Sequence, residues 1–261
     1  MKIFDAHVYA DDRPDADFSN LHWFDVERVL LCAHAPYGFQ TAADLLGYFQ
    51  HLLDVETVRV EQLGLQAHVA LGIHPEAVPS RAHYEIWREL PLLLQDARVV
   101  ALGEIGVIDS TEREWALVDR QLRVLAASGV KKPVVFRLPT ALDPRARRDA
   151  IERMGTVADA NGVPRTDVLI QHVDWLTIDA AEAEGFLSGL TPGPLFLEVE
   201  DAVRIATHHD RRRIVAGSAL RSGGADVLAL PKLAVALTEA GIPRSDIERI
   251  LYGNAMRFYV R

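Results

Sequence analysis

An α/β fold, a single (β/α)8 TIM barrel, is what this sequence predicts, and three observations carry the expectation. Eight short β-branched or aliphatic runs recur along the 261 residues and alternate with segments of helical period, the pattern of βα units around a parallel sheet. The length suits one barrel domain over residues 1–261, because this fold runs to about 250 residues as one unit. No Gly-x-Gly-x-x-Gly fingerprint follows the first run, which disfavours an open doubly wound sheet.

The eight runs are Ile3 to His7, Val29 to Ala33, Gln66 to Ile73, Val99 to Ile105, Pro133 to Leu138, Asp167 to His172, Leu195 to Val199, and Arg213 to Gly217. Several are apolar throughout, as Val168-Leu169-Ile170 is, which suits strands covered on both faces. Between them Leu45, Phe49, Leu52 and Val55 fall three and four apart, as do Trp115, Val118, Leu122 and Leu125, so each set predicts a helix with one buried stripe. Gly64 and Gly129 stand just past two such helices, and Asp143-Pro144 reads as an N-cap followed by Pro at the first helical position. A helix from about Asp226 to Ala240, a Gly241-Ile242-Pro243 break and two short helices complete the chain, with Asn254 placed to cap the last. Trp87, Trp115 and Trp175 fall in helix-like segments and are expected to pack on the barrel; packing is also the expectation for Trp23.

Composition removes whole classes of function. Hydrophobic residues at 49% and charged ones at 25% are globular averages, which exclude disordered and collagenous chains. No run of about 18 apolar residues is present to span a bilayer, so no membrane partner is expected. The chain enters a strand pattern at Ile3, leaving no room for a signal peptide, and the single Cys32 lies in an apolar run as a small hydrophobe; both predict a cytoplasmic protein. The net charge of -9 argues against nonspecific nucleic-acid binding, which relies on Lys and Arg to neutralise phosphates.

In such barrels the chemistry sits at the C-terminal ends of the strands. Reading those ends in order gives Asp5, His7 and Tyr9, then His34, His74, Glu104, Arg137, His172, Glu198 and Ser218. Glu104 is the sharpest of them, because Val99 to Gly106 buries a carboxylate that must find a cation, a metal or a proton. Its flanking Gly103 and Gly106 permit close approach, and Arg137 is the candidate ion-pair partner. Asp11, Asp12, Asp15 and Asp17 follow the first run as an acidic loop, expected to be solvated. Arg145, Arg147 and Arg148 open a helix on the face of the strand ends, where a phosphate could meet them.

Asp5-Ala6-His7-Val8-Tyr9, Gly72-Ile73-His74-Pro75, Gly103-Glu104-Ile105-Gly106, Pro133 to Pro139, Ile170-Gln171-His172 and the stretch Ile214 to Lys232 resemble, in order and spacing, the TatD family of metal-dependent hydrolases, amidohydrolase-like barrels. The closing Gly253 to Tyr259 is similar to the Asn-containing last helix of that family. The resemblance implies a two-metal hydrolase in which divalent ions (zinc, magnesium or manganese) clamp a phosphoryl or carbonyl oxygen. Matched residue by residue, His7, Glu104 and His172 take ligand positions. Tyr9 stands where the family has a second first-strand histidine, Arg137 where it has the fifth-strand histidine, and Gly217-Ser218-Ala219-Leu220 offers only a hydroxyl in place of the eighth-strand aspartate.

Arginine cannot ligate a metal, and a fixed positive charge about 5 Å from a divalent ion costs roughly 6 kcal/mol at an effective dielectric near 20. Two readings follow. In one, His7, Glu104 and His172 hold a single zinc-like metal for hydrolysis of phosphoester, amide or ester bonds, and Tyr9 or His74 assists proton transfer. In the other, Arg137 replaces the metal charge and pairs with Glu104 through a hydrogen bond of about 2.7 to 3.2 Å. That would leave a pocket for a small anionic or phosphorylated ligand, with weak or no metal-dependent hydrolysis. The chemistry of the residues favours the second reading and the resemblance favours the first.

Overall fold

The computed structural model describes residues 1–35, 37–79, 84–221 and 224–260. Its strands are β1 (Ile3–Val8), β2 (Val26–Cys32), β3 (Gln66–Leu71), β4 (Val99–Gly106), β5 (Val134–Arg137), β6 (Val168–Gln171), β7 (Leu187–Leu190) and β8 (Ile214–Ala216). They lie in one sheet in chain order, every neighbouring pair parallel. Around them run α1 (Asp15–Trp23), α2 (Ala42–His51), α3 (Thr57–Gln62), α4 (Tyr84–Leu93), α5 (Glu112–Ser128), α6 (Pro144–Ala160), α7 (Ile178–Ala183), α8 (Val199–His208), α9 (Ala229–Glu239), α10 (Arg244–Glu248) and α11 (Asn254–Tyr259). This is a (β/α)8 TIM barrel.

The strands alternate between two cores. Phe4, Ala6, Leu30, Cys32, Ala70, Ala101, Val135, Leu169 and Val215 face inward and meet Phe258 and Tyr259 of α11, whereas Val29, Leu31, Val69 and Val134 face the helices. Cys32 is accordingly buried as a small hydrophobe. Local signals act as read: Gly129 ends α5 at φ 74°, and the Asp143 carboxylate accepts the N–H groups of Arg145 and Ala146 at the start of α6.

The barrel closes where β8 returns to β1. Val8 bridges Leu220, and the Tyr9 N–H donates to the Leu220 carbonyl at 2.9 Å. Gly217 is required there, because a Cβ on it would lie 2.6 Å from His7 Cβ. The buried Asp5 carboxylate accepts the Ser218 N–H (2.8 Å), the Ser218 hydroxyl (2.5 Å) and the His7 N–H (3.2 Å).

Six expectations are corrected. The seventh strand is Leu187–Leu190, not 195–199: the later run is a loop up to Glu198, the exposed residue before α8 rather than a strand end, and its Val199 opens that helix. Val55 is 46% exposed because a wider turn at Leu52–Glu56 rotates the stripe after Leu52. Trp23, at the end of α1, is 83% exposed instead of packed, and Trp175 sits in a turn ahead of α7. Asn254 caps no helix; its amide donates to the carbonyls of Arg211 and Ile214, tying α11 to β8. Among the described residues no helix is long and apolar enough to cross a membrane.

Candidate functional site

His7 and Tyr9 come from the end of β1, Glu104 from β4, Arg137 from the last position of β5, and His172 from the residue after β6. Alternation along β1 sends His7 and Tyr9 to the same side, and the two rings meet edge to face with centroids 5.0 Å apart. His7, Glu104 and His172 are all buried, and one ligand atom of each lies within 4.8 Å of the others.

The partners fix where the protons are. The Tyr9 hydroxyl donates to Glu104 Oε2 at 2.6 Å, so its oxygen is the acceptor for His7 Nε2–H at 2.9 Å. His7 Nε2 is also 3.3 Å from Glu104 Oε2, while His7 Nδ1 has no partner. An Arg137 Nη1–H donates to His172 Nε2 at 3.3 Å; since arginine can only donate, that nitrogen is bare and His172 Nδ1–H donates to Thr191 Oγ1 at 3.0 Å. The His172 ring is stacked on Phe196 at 4.1 Å, and its backbone takes φ 63°, a strained conformation for a residue with a Cβ, steadied by Arg147 Nη2–H on the His172 carbonyl at 3.0 Å.

The expected ion pair between Arg137 and Glu104 does not form. Among the described residues, no salt bridge joins them, and Glu104 Oε1 has no hydrogen-bond partner. The register explains it: Arg137 pairs with Gly106, two residues beyond Glu104, and β4 slips against β5 between Leu102 and Ile105. The guanidinium instead donates to His172. Glu104 is held well below the usual carboxylate range; burial opposes this, but the neighbouring His7 and the Arg137 charge prevail. Burial lowers Arg137's pKa and the Glu104 charge overrides it, leaving it raised.

The other predicted residues divide. His74, after β3, accepts the Glu76 N–H on Nδ1 at 3.2 Å. Burial pushes its pKa down to about 3, with Glu104 opposing and Arg137, His34 and His7 adding to the fall. His34 donates Nε2–H to the Asp11 carboxylate at 3.0 Å and lies against the Tyr9 ring at 4.3 Å, so the first acidic residue of the loop is a partner rather than a solvated charge. Ser218 was the candidate in place of an eighth-strand ligand, but its hydroxyl is spent on Asp5. The next residue, Ala219, offers no ligand and takes φ 46°. Thr191 and Phe196 were not foreseen, because both follow the strand that was misplaced. Beside His172 a cavity of about 150 Å³ opens between Thr140, Arg147, Thr191 and Phe196.

No family model matches the chain. An uncharacterized metal-dependent hydrolase of Methanocaldococcus jannaschii is 29% identical over 258 residues, 98% of this chain and 99% of the relative. A TatD-like protein of Archaeoglobus fulgidus is similar in structure at a TM-score of 0.79 and 25% identity, over 99% of this chain and 100% of that one. In sequence and in structure the chain is similar to the TatD-like metal-dependent hydrolases. A zinc-bound amidohydrolase of Burkholderia multivorans, with a TM-score of 0.62 at 12% identity over 100% and 99% of the two chains, shares the fold. In this TatD-like chain, His7, Glu104 and His172 are the candidate metal-binding residues, and a divalent metal is the suggested cofactor.

Proposed function

We propose that this chain hydrolyses a small anionic substrate with one divalent cation on His7, Glu104 and His172, and with Arg137 taking the substrate's negative charge. A pair of facing acceptors carries the reading. Glu104 Oε1 has no donor, and His172 Nε2, an unprotonated nitrogen whose lone pair holds only the long Arg137 N–H contact of 3.3 Å, stands 3.8 Å from it. Buried acceptors in that arrangement need an electrophile, and two imidazoles with one carboxylate suit zinc, leaving a position open. A bound cation supplies Lewis-acid polarisation of a carbonyl or phosphoryl oxygen. A second metal would lack its ligands, with Arg137 and Ala219 at the fifth and eighth strand ends.

The protein's own groups prepare the site. Thr191 holds His172 in the tautomer that bares Nε2, and Phe196 fixes the ring plane. Tyr9 orients Glu104, and burial together with the Glu104 charge raises the phenol's pKa so that it remains a donor. For the cation to bind, His7 must move its proton from Nε2 to the unpartnered Nδ1 and Arg137 must release the His172 lone pair, which frees the guanidinium for a phosphate or carboxylate of the substrate.

That same contact favours a second reading, in which Arg137 is the resident cation and the chain binds a small anion with weak or no hydrolysis. Elemental analysis of protein purified without added metal, followed by zinc titration and assays on p-nitrophenyl phosphate, p-nitrophenyl acetate and a small amide, separates the two. The first reading expects one zinc per chain, lost in Glu104→Gln and His172→Ala, together with turnover. No zinc at millimolar supply and no turnover would defeat it in favour of the second.

A further inference from the structure

The histidines around the mouth are not equivalent, and His74 is the odd one. A backbone N–H can only donate, so the 3.2 Å bond from the Glu76 amide obliges His74 Nδ1 to keep its lone pair. The neutral ring therefore carries its proton on Nε2, the reverse of His172. His74 is 2% exposed, follows β3, and so stands next to the β4 strand that carries Glu104, with Leu71 registered against Leu102. The charges of Glu104, Arg137, His34 and His7 all reach it. Protonating the ring would set an N–H against the Glu76 N–H; burial and the Arg137 charge add to that cost and outweigh the opposing carboxylates of Glu104 and of Glu76, the latter 3.8 Å from Nδ1. A histidine so held neither accepts a proton at working pH nor presents a lone pair to a metal through Nε2. What it offers is one fixed neutral donor.

We propose that His74 binds the substrate oxyanion through Nε2–H, together with Arg137, and takes no part in proton transfer or metal ligation. This rests on the reading of the barrel mouth as the substrate site. It assigns His74 a different role from the proton-transfer assistance that its position first suggested. The ligand chemistry is an oxyanion, either a phosphoryl group or the carboxylate-like oxygen of an acyl centre. A neutral donor beside a cation suits it, because it adds a directional bond without adding charge that would repel a divalent ion.

The test is run on metal-free protein, so that a failure of zinc binding leaves it readable. Long-range proton–nitrogen NMR of uniformly ¹⁵N-labelled protein, assigned with His74→Asn, should show the His74 proton on Nε2 from pH 5 to 8. Inorganic phosphate and acetate are then titrated into wild type, His74→Asn and His74→Gln. The Asn side chain can still accept the Glu76 N–H but cannot reach as far as Nε2, whereas Gln carries an amide N–H to that reach and gives up the cap. The expected result is that the better-bound probe weakens about tenfold in His74→Asn, the scale of one hydrogen bond to a charged group, and less than threefold in His74→Gln. Which of the two probes binds better identifies the phosphoryl or the acyl source. A ring proton on Nδ1, no binding of either anion at millimolar concentration, or loss in the Gln variant but not in the Asn variant, as a purely structural cap would give, overturns the proposal.

Discussion

Two fully buried carboxylates stand in this barrel, Asp5 at the seam of β1 with β8 and Glu104 at the mouth end of β4, and they are served very differently. Asp5 accepts three donors, two from Ser218 and one from the His7 backbone. Glu104 accepts one hydrogen bond, from Tyr9, and its Oε1 has none. Burial raises Asp5 to about 6 despite its donors, while the neighbouring His7 and the Arg137 charge hold Glu104 well below the usual range despite its burial. A carboxylate whose lone pairs are filled by its own chain holds the fold together. One that is fixed and ionised but short of donors is prepared for a ligand.

The comparison is broken most directly at Glu104. Glu104→Gln should lower zinc affinity at least a hundredfold with Tm changed by less than about 2 °C, read by competition with a chelating dye and by calorimetry. If Asp5→Asn weakened zinc equally, the two carboxylates would not differ as argued. Arg137→Met should act in the opposite sense and strengthen zinc at least tenfold, since it returns the His172 lone pair and removes a positive charge. Arg137→His should go further by adding a ligand; weaker binding in both would show that the guanidinium supports the site.

Asp5 also has a pH signature with a definite sign. Its folded pKa of about 6 lies above the ordinary 3.8, so the folded state holds this proton more tightly than the unfolded chain does. Between pH 4 and 6 its contribution to stability then falls as pH rises, by up to roughly 3 kcal/mol. Urea unfolding across that range should show wild type losing ground to Asp5→Asn as pH rises, and parallel curves would refute the assignment. His74 works the other way. Lowered from 6.5 to about 3, it contributes fully above pH 6.5 and loses that contribution as pH falls toward 3, so His74→Gln should flatten the acid limb. The smallest effect is that of Ser218→Ala, which removes one donor from Asp5 and should cost about 1 to 2 kcal/mol of stability while leaving zinc affinity unchanged.

The barrel was legible because seven of its strands are written in β-branched and aliphatic residues with polar ends. β7 is not: Leu187-Ser188-Gly189-Leu190 is four residues long, half of them poor strand formers, and its pairing with β6 and β8 is what makes it a strand. The more apolar stretch near Leu197 only folds back on residues 192 and 193. That one error hid Thr191 and Phe196, the two groups that orient His172. The placement of Arg137 failed for another reason. Adjacency of β4 and β5 suggested that it meets Glu104, but a sequence does not display the slip in register that sets Arg137 against Gly106. The tautomers of His74 and His172 depend on donors from a following turn and from Arg137, information that exists only once the strands are assembled.

The seam has a consequence for how the molecule assembles. Seven of the eight joints of the ring unite strands that follow one another in the chain. The eighth unites Asp5 with Ser218, 213 residues away, through one bridge and one carboxylate. Closing so long a loop carries the largest entropic cost in the barrel, and it can be repaid only when both ends of the chain are in place. The amides of Tyr9 and Ser218 are therefore where hydrogen exchange should first report the ring opening, well before the ladders between successive strands let go.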